Sequence, residues 1–194
     1  MNMSMMENWM KEYVADLNQT LNNLPFDKID DIIKILIKAN KDNRQIFVFG
    51  NGGSAATSSH FVTDLGKGAS DKLPNRFRCL SLNDNSAWMT ALGNDYSYDD
   101  VYLGQLKNFA QPGDIVLTMS VSGSSPNLVK AFEWAKSNGL ETIALIGGKR
   151  GKLAEIAQHV AVVDSHHYGI VEDAHMVISH LICYAFMEHP DITA

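Results

Sequence analysis

The sequence predicts an α/β fold: a three-layer αβα sandwich on a five-stranded parallel sheet, preceded by two N-terminal helices. Three observations predict it. Five short β-branched or apolar runs recur along the chain, and a helical stretch separates each from the next. Several runs are apolar at almost every position, Ile143-Ala144-Leu145-Ile146 above all, as expected of strands covered on both faces. Two amphipathic patterns precede the first run.

The elements follow in order. Met6, Trp9, Met10, Tyr13, Leu17 and Leu21 recur at helical steps and predict a helix over 1–22. Pro25 breaks it. A second helix is expected over 27–41, capped by Asp27, with Ile29, Ile32, Ile33, Leu36 and Ile37 on its apolar face. Strands are expected near 46–49, 77–81, 114–119, 142–146 and 160–163. Helices are expected at 54–66, 85–93, 98–109, 126–138, 151–157 and 170–187. The stretch 66–76 reads as a loop, too short for a linker, so residues 1–194 form one domain. Within it, residues 1–42 are expected to serve oligomerisation.

Composition narrows the function. The chain is 45% hydrophobic and 20% charged, which suits a packed core and excludes a disordered chain. Its net charge of −6 argues against nucleic acid as a partner. No uninterrupted run of 18 apolar residues occurs, which argues against a membrane partner. Cys79 and Cys183 are far apart and build neither a disulfide framework nor a zinc ribbon. A reduced, soluble, cytoplasmic protein is expected.

Two loops of small residues follow strands. The first is Gly50-Asn51-Gly52-Gly53-Ser54-Ala55-Ala56. Its glycines allow close backbone approach, and the next helix presents free N–H groups to an anion. Numerically it satisfies the dinucleotide fingerprint, but the acid that should hold a ribose is missing from the end of the second strand; Asp84 comes only afterwards. The second loop is Ser120-Val121-Ser122-Gly123-Ser124-Ser125-Pro126. Ser125 suits an N-cap and Pro126 the first helical position. Capping needs one serine; four serines and a glycine at a strand-to-helix turn suit a phosphate dianion.

His60 and Asp64 share a helix face, four residues apart. On the last helix stand Glu172, His175 and His180, with His180 at the edge of the apolar stripe. Each alone has a structural explanation. Together they make two sets of His and carboxylate, which could hold a divalent metal or move a proton beside a carbonyl. His166-His167-Tyr168 could border a site, although exposed loop residues are the commoner reading of such a stretch.

The glycine loop, His60-Phe61 with Asp64, Gly93-Asn94-Asp95, the pattern Ser120-x-Ser122-Gly123-x-Ser125-x-Asn127, and a helix bearing His175 and His180 together resemble the phosphoheptose isomerases of the sugar-isomerase (SIS) domain family. The resemblance spans nearly the whole chain. It implies a homotetramer with active sites shared between subunits, converting sedoheptulose 7-phosphate to a heptopyranose 7-phosphate on the way to nucleotide-heptoses for surface glycans. On that resemblance Ser120, Ser122 and Ser125 hold the phosphate, and Asn51, Gly53, Ser54 and Asp95 line the sugar site. Asp64 is the base and His180 the acid. Members that carry zinc use the positions of His60, Asp64, Glu172 and His180, so Zn2+ is the expected cofactor. Asp64 stands where the family usually has glutamate, Glu172 where it has glutamine, and Val121 where it has threonine. Competing readings are a SIS enzyme with another substrate and a non-catalytic scaffold or sensor. The scaffold branch lacks the catalytic carboxylate, and Asp64 with His180 argues against it.

Overall fold

The computed structural model describes residues 3–193. The first two residues of the helix expected over 1–22 lie outside them, as does Ala194. The order is α1 (Met3–Asn22), α2 (Phe26–Lys41), β1 (Gln45–Gly50), α3 (Gly53–Thr63), β2 (Arg78–Ser81), α4 (Ser86–Asp95), α5 (Leu103–Phe109), β3 (Ile115–Ser120), α6 (Pro126–Ser137), β4 (Glu141–Gly147), α7 (Leu153–Ile156), β5 (His159–Val163) and α8 (Tyr168–Glu188). The five strands pair in parallel in the order β2-β1-β3-β4-β5. The three-layer expectation holds.

Strand alternation sorts the side chains into two cores. Ile46, Val48, Ile115, Leu117, Met119, Ile143 and Leu145 face α2, α3 and α8. Phe47, Phe49, Val116, Ala144 and Ile146 face α5, α6 and α7 on the other side. This two-sided burial is why β3 is buried at every position. By length and mean hydropathy, 1.3 over its apolar window, α8 could cross a membrane. Its apolarity has a use within the fold: Val171, Ala174, Ile178, Ile182 and Phe186 are all buried in the first core.

Three local expectations need correction. Asp27 is not the cap of α2: Pro25 occupies that place at φ −76°, and Asp27 falls in the first turn. The proline's fixed φ starts the helix two residues early. The stretch 66–76 is not simply loop: a π-helical turn runs over Asp64–Ala69 and a 3-10 turn over Ser70–Lys72. Buried Leu65 and Ala69 anchor it, and the Ser70 hydroxyl donates to the Leu65 carbonyl at 3.0 Å. The helix expected over 98–109 is divided into a 3-10 turn at Tyr98–Asp100 and the shorter α5.

Candidate active site

Both small-residue loops leave the carboxyl ends of adjacent strands, because Gly50 on β1 pairs with Met119 on β3. That is where open parallel sheets bind ligands. Asn51, Ser54, Met119, Ser120, Val121, Ser122, Ser125, Tyr168 and Glu172 surround a cavity of about 80 Å3 there.

Gly123 shapes the serine loop. It sits at φ +64°, and a Cβ on it would run into the Arg150 carbonyl. The Gly123 N–H donates to Ser120 Oγ at 3.1 Å, and the Ser124 N–H donates to Ser122 Oγ at 3.3 Å. Both hydroxyls therefore act as acceptors within the loop and keep their own hydrogens for a ligand. Ser125 occupies the N-cap place of α6, yet its side chain makes no cap hydrogen bond. The lining includes no lysine or arginine; its one formal charge is the Glu172 carboxylate. An anion placed here would meet hydroxyls and the start of α6.

Asn51 lines the cavity and is also held from behind. Its side-chain amide exchanges hydrogen bonds of 2.9 Å with Asn127, and its oxygen also accepts from Tyr102 at 3.0 Å. It borders the cavity as a brace between β1 and α6. Burial pushes the Tyr102 hydroxyl up to about 12, so it stays a donor. Ser54 lines the cavity and is buried. Gly53 lies just behind it: a Cβ there would stand 2.5 Å from Glu172 Oε1. Asp95 does not reach this cavity in the chain. It is exposed at the end of α4, and its carboxylate accepts from Asn94 at 2.9 Å. Asp84, the nearest acid for a ribose, accepts from Ser59 instead.

The second half of the site lies down α3 and α8. His60 Nε2 and His180 Nε2 are 3.1 Å apart. Asp64 Oδ2 is 3.1 Å from His60 Nε2 and 3.8 Å from His180 Nε2. The three are the one group of potential metal ligands that converges among the described residues. Glu172, expected with them, is elsewhere. Eight residues of α8 separate it from His180, about 12 Å of helical rise, and it faces Gly53 at the cavity. His175 is also apart. It is 1% exposed, with both ring nitrogens unpartnered, and burial lowers its pKa to about 4.

These donors fit a divalent metal. Tetrahedral ligands at 2.0–2.1 Å from zinc stand about 3.3 Å from one another, and the three separations bracket that value. Two imidazoles and a carboxylate are a donor set that catalytic zinc accepts, with a fourth place left over. Without a metal, only one of the facing nitrogens can carry the hydrogen between them, the arrangement of a proton relay. Tyr168, in the stretch that could border a site, does line this cavity. Its place beside His166-His167 at the head of the last helix was the available signal.

A strand-order reversal, a serine cradle and a His/Asp/His cluster define a phosphosugar-handling α/β protein. The comparisons agree. The SIS domain family model matches residues 9–147. The chain is 37% identical over 174 residues to a protein of Thermoplasma volcanium named "probable phosphoheptose isomerase", covering 90% of this chain and 88% of that one. It is 34% identical over 186 residues to the phosphoheptose isomerase of Sulfurimonas denitrificans, covering 92% and 93%. The structure of a phosphoheptose isomerase from Francisella tularensis superposes with a TM-score of 0.85 at 26% identity, covering 97% of this chain and all of the other. The chain belongs to the SIS domain family, in its phosphoheptose isomerase branch.

Proposed function

We infer that this chain is an aldose–ketose isomerase that converts sedoheptulose 7-phosphate to a heptopyranose 7-phosphate, supplying nucleotide-heptose synthesis. The observation that carries the reading is the pairing of a cation-free anion cradle with a converged His60/Asp64/His180 cluster. A scaffold needs neither.

The chemistry follows from the parts. The phosphate anchors on the Ser120, Ser122 and Ser125 hydroxyls, with Ser54 beside them. Asp64 takes the proton from the carbon next to the carbonyl, giving an enediol. His180 gives a proton to the developing oxyanion; as Asp64 returns the carbon-bound proton to the neighbouring carbon, the other enediol hydroxyl gives its proton back to His180 and becomes the new carbonyl. His60, 3.1 Å from both partners, holds the carboxylate and the second imidazole in place. Zinc, when held by His60, Asp64 and His180, would polarise the carbonyl oxygen as a Lewis acid.

Cradle and cluster stand apart along α3 and α8 of one chain. Six residues of α3 separate Ser54 from His60, about 9 Å of rise. A homotetramer with shared sites, cradle from one copy and cluster from another, joins them. This reading also returns Glu172 of a neighbouring copy to the metal set and gives exposed Asp95 a site to line. Exposed Met6, Trp9, Met10 and Val14 on α1, and Leu181 and Tyr184 on α8 beside His180, supply apolar surface for such an assembly. The test is conversion of sedoheptulose 7-phosphate by the purified chain, with Asp64→Asn and His180→Ala as controls. Full activity in both variants refutes the assignment.

A further inference from the structure

We infer that Tyr13, on the N-terminal helix outside the sandwich, is a positioning residue for the anion cradle. The inference rests on the phosphate reading of the serine loop given above.

One side chain meets the head of α8 at three places. The Tyr13 hydroxyl donates to Asp173 Oδ2 at 2.7 Å. The Tyr13 ring stands edge-on to the His167 ring, with centroids 5.4 Å apart. The hydroxyl oxygen also lies over Gly169, where a Cβ would stand only 2.7 Å from it. His167 is itself the cap of α8, its Nδ1 accepting from the Ile170 N–H.

That helix head builds the cradle. Tyr168 and Glu172 form part of the cavity wall. Val171 between them packs under Gly147, and a Cβ on Gly147 would stand 2.6 Å from the Val121 carbonyl of the serine loop. A shift of the first turn of α8 is thus passed to the loop. On its other side the turn borders open space, a cleft of about 590 Å3 lined by Asp16, Thr20, His166, His167 and Ile170. Ile170 is buried on that side, and the Tyr13 hydroxyl adds the hydrogen bond to Asp173 that ties the turn to α1. Gly169 is the residue that lets the hydroxyl approach.

The experiment uses the full chain. Tyr13→Phe keeps the ring and removes the hydrogen bond. KM for sedoheptulose 7-phosphate and the inhibition constant of inorganic phosphate should both rise about fivefold, with kcat within about twofold of the native value. Gly169→Ala places a methyl against the hydroxyl and should raise both constants about tenfold. In the Tyr13→Phe background the same methyl has room and should add no further rise. A helix head that is merely stabilised would show a lower melting temperature and no change in phosphate affinity. Unchanged constants in Tyr13→Phe, or equal harm from Gly169→Ala in both backgrounds, overturns the inference. Calorimetric titration with inorganic phosphate separates the two readings. A native chain that binds phosphate but turns over no sugar phosphate refutes the isomerase alone; one that binds no phosphate refutes both.

Discussion

His60 and His180 stand 120 residues apart in the chain and 3.1 Å apart at their Nε2 atoms. Each sits on a helix that packs on the same face of the sheet, and Asp64, one turn beyond His60, closes the group at 3.1 Å. Two imidazoles brought this close need either a shared hydrogen or a cation between them.

Titration with Zn2+ should therefore find a tight site. His180→Ala should weaken zinc binding at least about 100-fold, as expected when a ligand rather than its support is removed. Competition against a chromogenic chelator measures it. Equal affinity in native and variant chains would leave the acid–base reading and remove the metal.

Ser125→Ala separates ligand binding from helix capping. Loss of a working cap costs about 1 kcal/mol. Ser125 makes no cap bond, so the variant should lose less than about 0.5 kcal/mol in urea unfolding while KM rises about tenfold. A full cap-sized loss with native KM would return the residue to a structural role.

His175 makes the fold acid-sensitive. Its folded pKa, about 4, is below the ordinary value of 6.5 because burial disfavours the charged ring. The unfolded chain thus binds the extra proton first, and stability falls as pH drops from about 6.5 towards 4. The loss approaches about 3 kcal/mol across that window. His175→Leu should flatten the dependence, read as unfolding midpoint against pH. An unchanged slope would show that another group carries it.

Trp9 tests the assembly. It is 54% exposed on α1, beside exposed Met6 and Met10. Trp9→Glu should leave the helical circular dichroism intact and reduce the molar mass measured by light scattering. A native-sized particle would clear α1 of any role in association.

The corrections show where local rules stop. Asp27 carries the right chemistry for a cap, but Pro25 preset the helix start two residues earlier. The residues at 66–76 look like loop, yet buried Leu65 and Ala69 hold a π-helical turn against the core. Asn51 reads as a ligand residue and does border the cavity, but that its amide is also braced by Asn127 and Tyr102, far along the chain, could not be read locally. Glu172 and His180 share a helix, and within one chain the rise of that helix places one at the cradle and the other in the cluster.

The sequence by itself determined the layers. Apolar patterning is local, and each strand or helix announces its own burial; the near-continuous apolar runs in Gln45–Gly50 and Ile115–Ser120 already mark strands covered on both faces. The serine loop was equally legible, because its residues are consecutive. The tertiary structure alone decided which distant side chains meet. His60 reaches His180, and Tyr13 reaches Asp173, only because α3 and α1 each pack along α8, and the register of one helix against another leaves no trace in the local pattern of either.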